Sequence, residues 1–297
     1  AIDKVYGEIA PTAENILALV HREAVGVVAA IVPWNFPLMI GAWKIAPALA
    51  MGNSIVLKPA ETASLTLIRL AELALEAGVP PGVFNVVTGP GRITGEALAL
   101  SMDVDVMVFT GSGPTGRRLL QSSAQSNLKR CYLELGGKSP VIIHESYDLR
   151  LAAKKIAWAK TMNCGQTCIA PDYVLLPEVR EKQFADEFAK AVAAFYNPNG
   201  KGVASSSDYS RIINRKNLLR LKNLMEQDLE AGAHLLYGGA MDEDDLFIEP
   251  TLLGNMKPYM GLMQQEIFGP ILPVCTYKRI DDAIHTVNSL ERPLALY

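Results

Sequence analysis

The chain has 297 residues, 49% of them hydrophobic and 20% charged, with a formal net charge of −3; that is the balance of a globular protein with room for two domains. A slightly acidic chain gives no electrostatic case for nucleic acid or an anionic membrane surface as partner. Four cysteines, at 131, 164, 168 and 275, are too few for a disulfide scaffold and lack zinc-ligand spacing, so we expect no metal and a reducing, cytoplasmic setting.

In chain order, short β-branched runs alternate with longer helical patterns. Residues 25–31 (VGVVAAI), 54–57 (SIVL), 84–87 (FNVV), 104–109 (VDVMVF) and 141–143 predict strands. Residues 65–77 carry Leu65, Ile68, Ala71 and Leu75 at near-helical spacing and stop at Gly78 before the breaker Pro80-Pro81-Gly82; residues 115–123 predict a second helix. Neither apolar stretch near the start predicts a membrane span, because Pro33 ends one while Lys44 and Pro47 interrupt residues 36–51. The second half predicts helices over 182–195, 212–229 and 281–289 and strands over 233–236 and 271–277, with a Gly/Ser-rich loop at 197–208 and an acidic surface turn at 241–245. Such alternation implies an α/β fold of βαβ units around mostly parallel sheet, with a domain boundary near residues 136–137. Ligands of such sheets bind beyond the carboxyl ends of the strands, and all the motifs below are expected there.

Four motifs offer chemistry. Residues 110–116 (TGSGPTG) contain G-x-G-x-x-G between a strand and a helix, where close-approaching backbone and unpaired N–H groups suit a pyrophosphate. The acid about 20 positions on that the dinucleotide fingerprint wants is Glu134. In residues 165–168 (GQTC), a cysteine after a glycine-containing turn can present a thiolate to a cleft, although a free cysteine is commonly a small buried hydrophobe. Glu134 itself, ending an apolar strand before two glycines, can project into a cleft as a desolvated carboxylate or sit as a solvated edge charge. Asn35 is confined between Pro33-Trp34 and Phe36-Pro37, either as a presented amide or as part of a rigid turn.

Taken together and in order, PWNFP (33–37), LKPAE (57–61), FTGS (109–112) with Gly116, LELGGKSP (133–140), GQTC (165–168) and EIFGP (266–270) resemble the aldehyde dehydrogenase superfamily. The resemblance implies a Rossmann-like, parallel-sheet nucleotide-binding domain over 25–136, an α/β catalytic domain over 137–297, and part of an oligomerisation arm over 6–24. It implies that Cys168 is the nucleophile, that Asn35 with the backbone N–H of Cys168 holds the oxyanion, and that Glu134 is the general base that activates water. Lys58 and Glu61 would bind the adenosine ribose. Gly111, Ser112 and Gly116 would line the cofactor phosphates, with Trp34 beside the cofactor, Glu266 on the nicotinamide ribose and Phe268 against the nicotinamide. The implied activity is oxidation of a small-molecule aldehyde to an acid through a cysteine thiohemiacetal and thioester. Glu61 favours NAD, since a carboxylate accepts from a 2′-hydroxyl and repels a 2′-phosphate, while Lys58 leaves NADP possible. Family members form homodimers or homotetramers.

Residues 21–140 are similar to the branch that oxidises ω-amino and γ-glutamyl aminoaldehydes, while 163–174 and 266–297 are similar to the branch acting on fatty or aromatic aldehydes such as coniferaldehyde. The chain opens on Ala1 and closes on an apolar run, so the sequence leads us to expect both domains incomplete at their outer ends. Two rival functions are weighed against the dehydrogenase: a cofactor-free esterase using Cys168 and Glu134, and an inactive remnant that binds partners through open sheet edges.

Overall fold

The computed structural model describes residues 2–297 as two compact units, Ala1–Leu135 and Gly136–Tyr297. In the first, an antiparallel hairpin of β1 (Glu8–Ala10) and β2 (Ala18–Val20) precedes β3 (Val27–Ile31), α1 (Pro37–Ala50), β4 (Ser54–Lys58), α2 (Leu65–Glu76), β5 (Phe84–Val86), α3 (Glu96–Leu100), β6 (Val106–Gly111), α4 (Gly113–Ala124) and β7 (Arg130–Leu135). The last five strands form one wholly parallel sheet in the order β5-β4-β3-β6-β7. Central β3 is buried on both faces, with Val28, Ala29 and Ala30 inside, which is why it reads as a continuous apolar run rather than an alternating one. Edge strand β7 alternates strictly, exposing Arg130, Tyr132 and Glu134 while Cys131, Leu133 and Leu135 turn inward.

Helix α1 is absent from the sequence reading because its residues are apolar nearly all round. Pro37 is pre-set for the first helical turn, and Ile40, Gly41, Ile45 and Ala48 form the buried face. Among the described residues no helix is long and apolar enough to cross a membrane.

The second unit runs β8 (Pro140–Ile142), α5 (Leu149–Thr161), β9 (Tyr173–Pro177), α6 (Glu181–Tyr196), α7 (Arg215–Glu230), β10 (His234–Tyr237), β11 (Met241–Asp242), β12 (Phe247–Ile248), β13 (Thr251–Gly254), α8 (Gly261–Gln264), β14 (Ile271–Tyr277) and α9 (Ile280–Asn288). Its main sheet, ordered β10-β13-β14-β9-β8, is parallel except for the antiparallel pair β10–β13. Thus the mostly parallel α/β architecture expected from the alternation is what both units have. Beyond β8, the backbone of Tyr297 bonds to Pro140 and Ile142 and continues the ladder. Asp148 caps α5 by accepting from the N–H groups of Arg150 and Leu151. The buried stripe of α5 is Leu149, Ala152, Ala153, Ile156, Ala157, Lys160 and Thr161, which puts a lysine in a core position. The acidic turn expected at 241–245 is a short hairpin, β11 with β12, whose tip is acidic.

Candidate active site

In the first unit the sequence-predicted residues gather at the carboxyl ends of the parallel strands. Trp34 and Asn35 follow β3, Lys58 closes β4 with Glu61 just beyond, residues 111–116 join β6 to α4, and Glu134 lies one residue from the end of β7. Lys58 is buried, and its ammonium donates to the carbonyl of Pro59 at 2.8 Å. Burial lowers its pKa, and the nearby Glu61 carboxylate opposes that shift. Glu61 is exposed and accepts from the backbone N–H of Gly91 at 2.7 Å, which fixes one of its oxygens. Ser112 caps α4, bonding Thr115 through its hydroxyl at 2.9 Å and accepting from Gly116 N–H at its carbonyl. Nothing lies within 4 Å of where a side chain on Gly113 would begin, so the start of this 12-residue helix is open. The hydroxyl of Thr110, at the lip of the same turn, is buried with no hydrogen-bond partner among the described residues.

Glu134 stands opposite Thr110 in the β6–β7 ladder. Its side chain is exposed, so the expectation of a desolvated carboxylate is not met in this chain. The sequence reading also missed its electrostatic neighbour. Lys44, half-buried and the one charged residue of α1, has its pKa lowered by burial and raised by Glu134.

In the second unit the motifs lie at the opposite end of their sheet. Cys168 precedes β9, Glu266 and Phe268 precede β14, and the glycines at 136 and 137 precede β8. The expectation that every motif falls beyond carboxyl ends is therefore corrected: it holds for the first sheet and is reversed in the second. The chain leaves α5 through a tight turn in which Asn163 (φ 51°), Cys164 (φ 55°) and Gly165 (φ 72°) all occupy the left-handed region. That region costs a non-glycine residue roughly 1–2 kcal/mol. Gly165 is required twice over, because a Cβ there would lie 2.2 Å from the carbonyl oxygen of Gly269. The Cys168 turn and the 266–270 segment are thereby packed backbone to backbone. Gln166 spans the turn, donating to the carbonyls of Asn163 and Arg211 and accepting from Ile213 N–H. Cys168 itself is partly exposed.

The segment carrying Glu266 and Phe268 is held by buried charges that the sequence reading did not assign. Lys138 pairs with Asp172 and donates to the carbonyls of Leu262 (2.6 Å) and Gln265 (3.1 Å). The other oxygen of Asp172 accepts from Ile267 N–H at 3.0 Å, and Arg220 donates to the carbonyls of Glu266 and Ile267. One Glu266 oxygen accepts from Gly137 N–H at 3.0 Å, and a Cβ on Gly136 would overlap that carboxylate at 1.9 Å. Burial pushes the Glu266 carboxyl up to about 7 against the opposing bond from Gly137. Phe268, at φ 50°, is itself strained. Among the described residues there is no cluster of His, Cys, Asp and Glu that would hold a metal.

A buried pair loses far more when one partner goes than the pair contributes, because the other charge stays buried. Asp172→Ala is therefore expected to lower unfolding free energy by about 3–5 kcal/mol, read as a drop in the urea midpoint. A combined Lys138→Met, Asp172→Leu variant should recover most of the loss.

The chain is 42% identical over 292 residues to the NADP/NAD-dependent aldehyde dehydrogenase PuuC of Escherichia coli (strain K12), covering 97% of this chain and 58% of that protein. It is 40% identical over 296 residues to the aminoacetaldehyde dehydrogenase of Pseudomonas aeruginosa, covering 99% and 59%. Among solved structures, gamma-glutamyl-gamma-aminobutyraldehyde dehydrogenase from Burkholderia cenocepacia J2315 superposes with a TM-score of 0.90 at 43% identity, over 99% of this chain and 59% of that one. An indole-3-acetaldehyde dehydrogenase complexed with NAD+ gives 0.91 at 40%, over 99% and 60%. The chain thus spans less than two thirds of the length of these relatives. The Aldehyde dehydrogenase family model matches residues 1–297, and the chain belongs to that family.

Proposed function

We propose that this chain carries the catalytic apparatus of an NAD(P)-dependent aldehyde dehydrogenase that oxidises an aldehyde to a carboxylic acid. The observation that carries the reading is the strained turn presenting Cys168, packed through Gly165 against the segment bearing Glu266 and Phe268. Strain of this kind persists only where surrounding structure enforces it, and it concentrates at functional sites.

Cys168 adds as thiolate to the carbonyl carbon; the carbon–sulfur bond forms and the carbonyl π pair moves onto oxygen. Asn35 and the Cys168 N–H donate to that oxyanion, each such donor contributing roughly 3 kcal/mol in comparable sites. NAD(P), when bound, supplies the acceptor for the hydride that leaves the tetrahedral carbon. Glu134 then takes a proton from water, whose oxygen attacks the thioester and expels the Cys168 thiolate as the acid forms. The first unit fits such a dinucleotide: the ledge at the strand ends is open at Gly113, has an unpartnered Thr110 hydroxyl, and offers Gly111, Ser112 and Gly116 to phosphates. Lys58 and Glu61 would hold the adenosine ribose, Trp34 would lie beside the cofactor, and Glu266 and Phe268 would take the nicotinamide end. Glu61 favours NAD, and NADP is the second choice.

The chain's similarity to aminoacetaldehyde and γ-glutamyl-γ-aminobutyraldehyde dehydrogenases supports aminoaldehydes as the first substrates to try. A second copy of the chain is the partner we propose for the β1–β2 hairpin, which exposes Ile9, Leu17 and Leu19. The test is to supply NAD+ with a panel of aldehydes and measure NADH by absorbance and acid by chromatography. Equimolar NADH and acid are expected. Ester cleavage without any NADH would replace this reading with the esterase.

A further inference from the structure

The second unit holds an apolar groove that the mechanism leaves unused. It has a volume of about 650 Å³ and runs between strand β8, helix α5 and the turn that carries Cys168. Its floor is buried, with Val141 and Ile143 along β8, Ala152 and Ile156 from α5, and Ala170 after the turn. Its rim keeps large side chains partly in water: Tyr147, Trp158, Ile169 and Tyr297 are between 43% and 56% exposed. Apolar side chains left open on one contiguous concave face mark a place where an apolar group binds.

The walls indicate what kind of group. The groove starts at the turn of the proposed nucleophile, since Thr167 and Ile169, the two neighbours of Cys168, both line it. The Tyr297 hydroxyl donates to the Ile169 carbonyl at 2.7 Å and closes that end. The hydroxyl of Thr167 is buried with no hydrogen-bond partner among the described residues, which is uncommon enough to ask for a partner from outside the chain. No Asp or Glu is among the described lining residues, whereas Lys155 is. Its ammonium donates to the Tyr147 hydroxyl at 3.1 Å and lies 5.9 Å from the centre of that ring, so the rim carries a held positive charge. An ammonium tail entering here sheds water, finds no counter-charge and meets a like charge, while an uncharged ring or chain suffers none of these.

We propose that the groove receives the tail of the substrate and selects uncharged aldehydes with an apolar tail of ring size or longer over aminoaldehydes. Lys155 sets the charge preference, and Trp158 and Met162, four residues apart at the end of α5, supply apolar contact. The substrate role rests on the dehydrogenase reading; the class of ligand does not. Similarity to relatives makes aminoaldehydes the first compounds to try, and the groove ranks them below apolar ones.

The experiment has a binding arm and a turnover arm. Protein labelled with carbon-13 at the methionine methyls, with Met162→Leu to assign the resonance, is titrated with 3-phenylpropan-1-ol and with 3-aminopropan-1-ol, which match the aldehydes in shape but cannot be attacked. The phenyl alcohol is expected to move the Met162 signal saturably and to bind roughly tenfold or more tighter than the amino alcohol. In the turnover arm, kcat/KM for NADH formation should favour 3-phenylpropanal over 3-aminopropanal by roughly tenfold or more. Lys155→Glu, at an exposed position, should narrow that ratio several-fold. Equal binding of the two alcohols, preference for the amino compound in either arm, or a ratio unmoved by Lys155→Glu overturns the proposal. So does a Met162 signal that ignores both alcohols and moves with protein concentration, which would make the groove a contact between copies of the chain. Binding of the phenyl alcohol with no NADH from any aldehyde would sink the dehydrogenase reading and leave the ligand class of the groove standing.

Discussion

Cys168→Ala is expected to abolish aldehyde-dependent NADH formation, a loss on the order of 10⁴- to 10⁶-fold, as removal of a nucleophile costs elsewhere. NAD+ affinity should be unchanged within about twofold, since the residues proposed for the dinucleotide are left intact. The size of the effect follows from the other thiols. Cys164, four residues away, is fully buried, bonded to the Tyr209 hydroxyl at 3.4 Å, and pushed up to about 11 by burial. Burial likewise pushes Cys275 up to about 12, and Cys131 donates to the Ser123 hydroxyl in the other unit. Thiols raised in this way are poor nucleophiles, so neither Cys164 nor Cys275 can substitute. An aldehyde held without covalent addition has no tetrahedral carbon from which hydride can leave. Single-turnover spectroscopy with a good aldehyde would check the loss. Residual NADH at a few per cent of the parent rate would remove Cys168 from the role, and Cys164→Ala, expected to retain turnover, provides the control.

Much of the fold was legible because strand and helix periods differ. The strands at 54, 84 and 271 and the helices beginning at 65 and 181 were recoverable to within a residue or two from alternation, breakers and apolar stripes. What escaped were elements whose pattern is ambiguous rather than weak. Helix α1 is apolar on nearly every side, so no stripe marks it, and it carries Pro47 near its end. Helix α5 and strand β9 are absent from the sequence-based expectations, although Asp148 before the stripe 149, 152, 153, 156 is an ordinary helix start. Strand β13, with only four residues (TLLG), owes its pairing to β14 and β10 and not to its own sequence.

The site divides along the same line. The residues proposed to meet ligand stand in short motifs with glycines and prolines, because close backbone approach leaves a local trace, and it is their order together that makes them readable. Residues that hold the motifs in place are scattered: Asp172 and Arg220 come from different segments and act through side chains reaching a backbone far off in sequence. No local pattern encodes such reach. One signal was available, however. Lys160 falls on the apolar stripe of α5, and Lys44 is the lone charge in an apolar helix; a lysine in a core position is a question that sequence alone can raise. That the second unit's motifs lie at the amino ends of their strands was beyond sequence reading, because the carboxyl-end rule describes open nucleotide-binding sheets and is silent about the second unit.

Glu134→Gln should separate the two halves of the reaction. Glutamine keeps the shape of the side chain and loses only the ability to take a proton, so addition of Cys168 and departure of hydride are unaffected. A rapid burst of one NADH per site is expected, followed by steady turnover slowed by about 10²- to 10⁴-fold, the usual contribution of a general base. The thioester then accumulates, and intact mass spectrometry should find the acyl group on Cys168. Hydroxylamine, which attacks a thioester without needing a base, should restore turnover in the variant more than in the parent. Were the burst itself lost in Glu134→Gln, the carboxylate would be needed before the thioester forms, and the base for water would have to be sought among other groups.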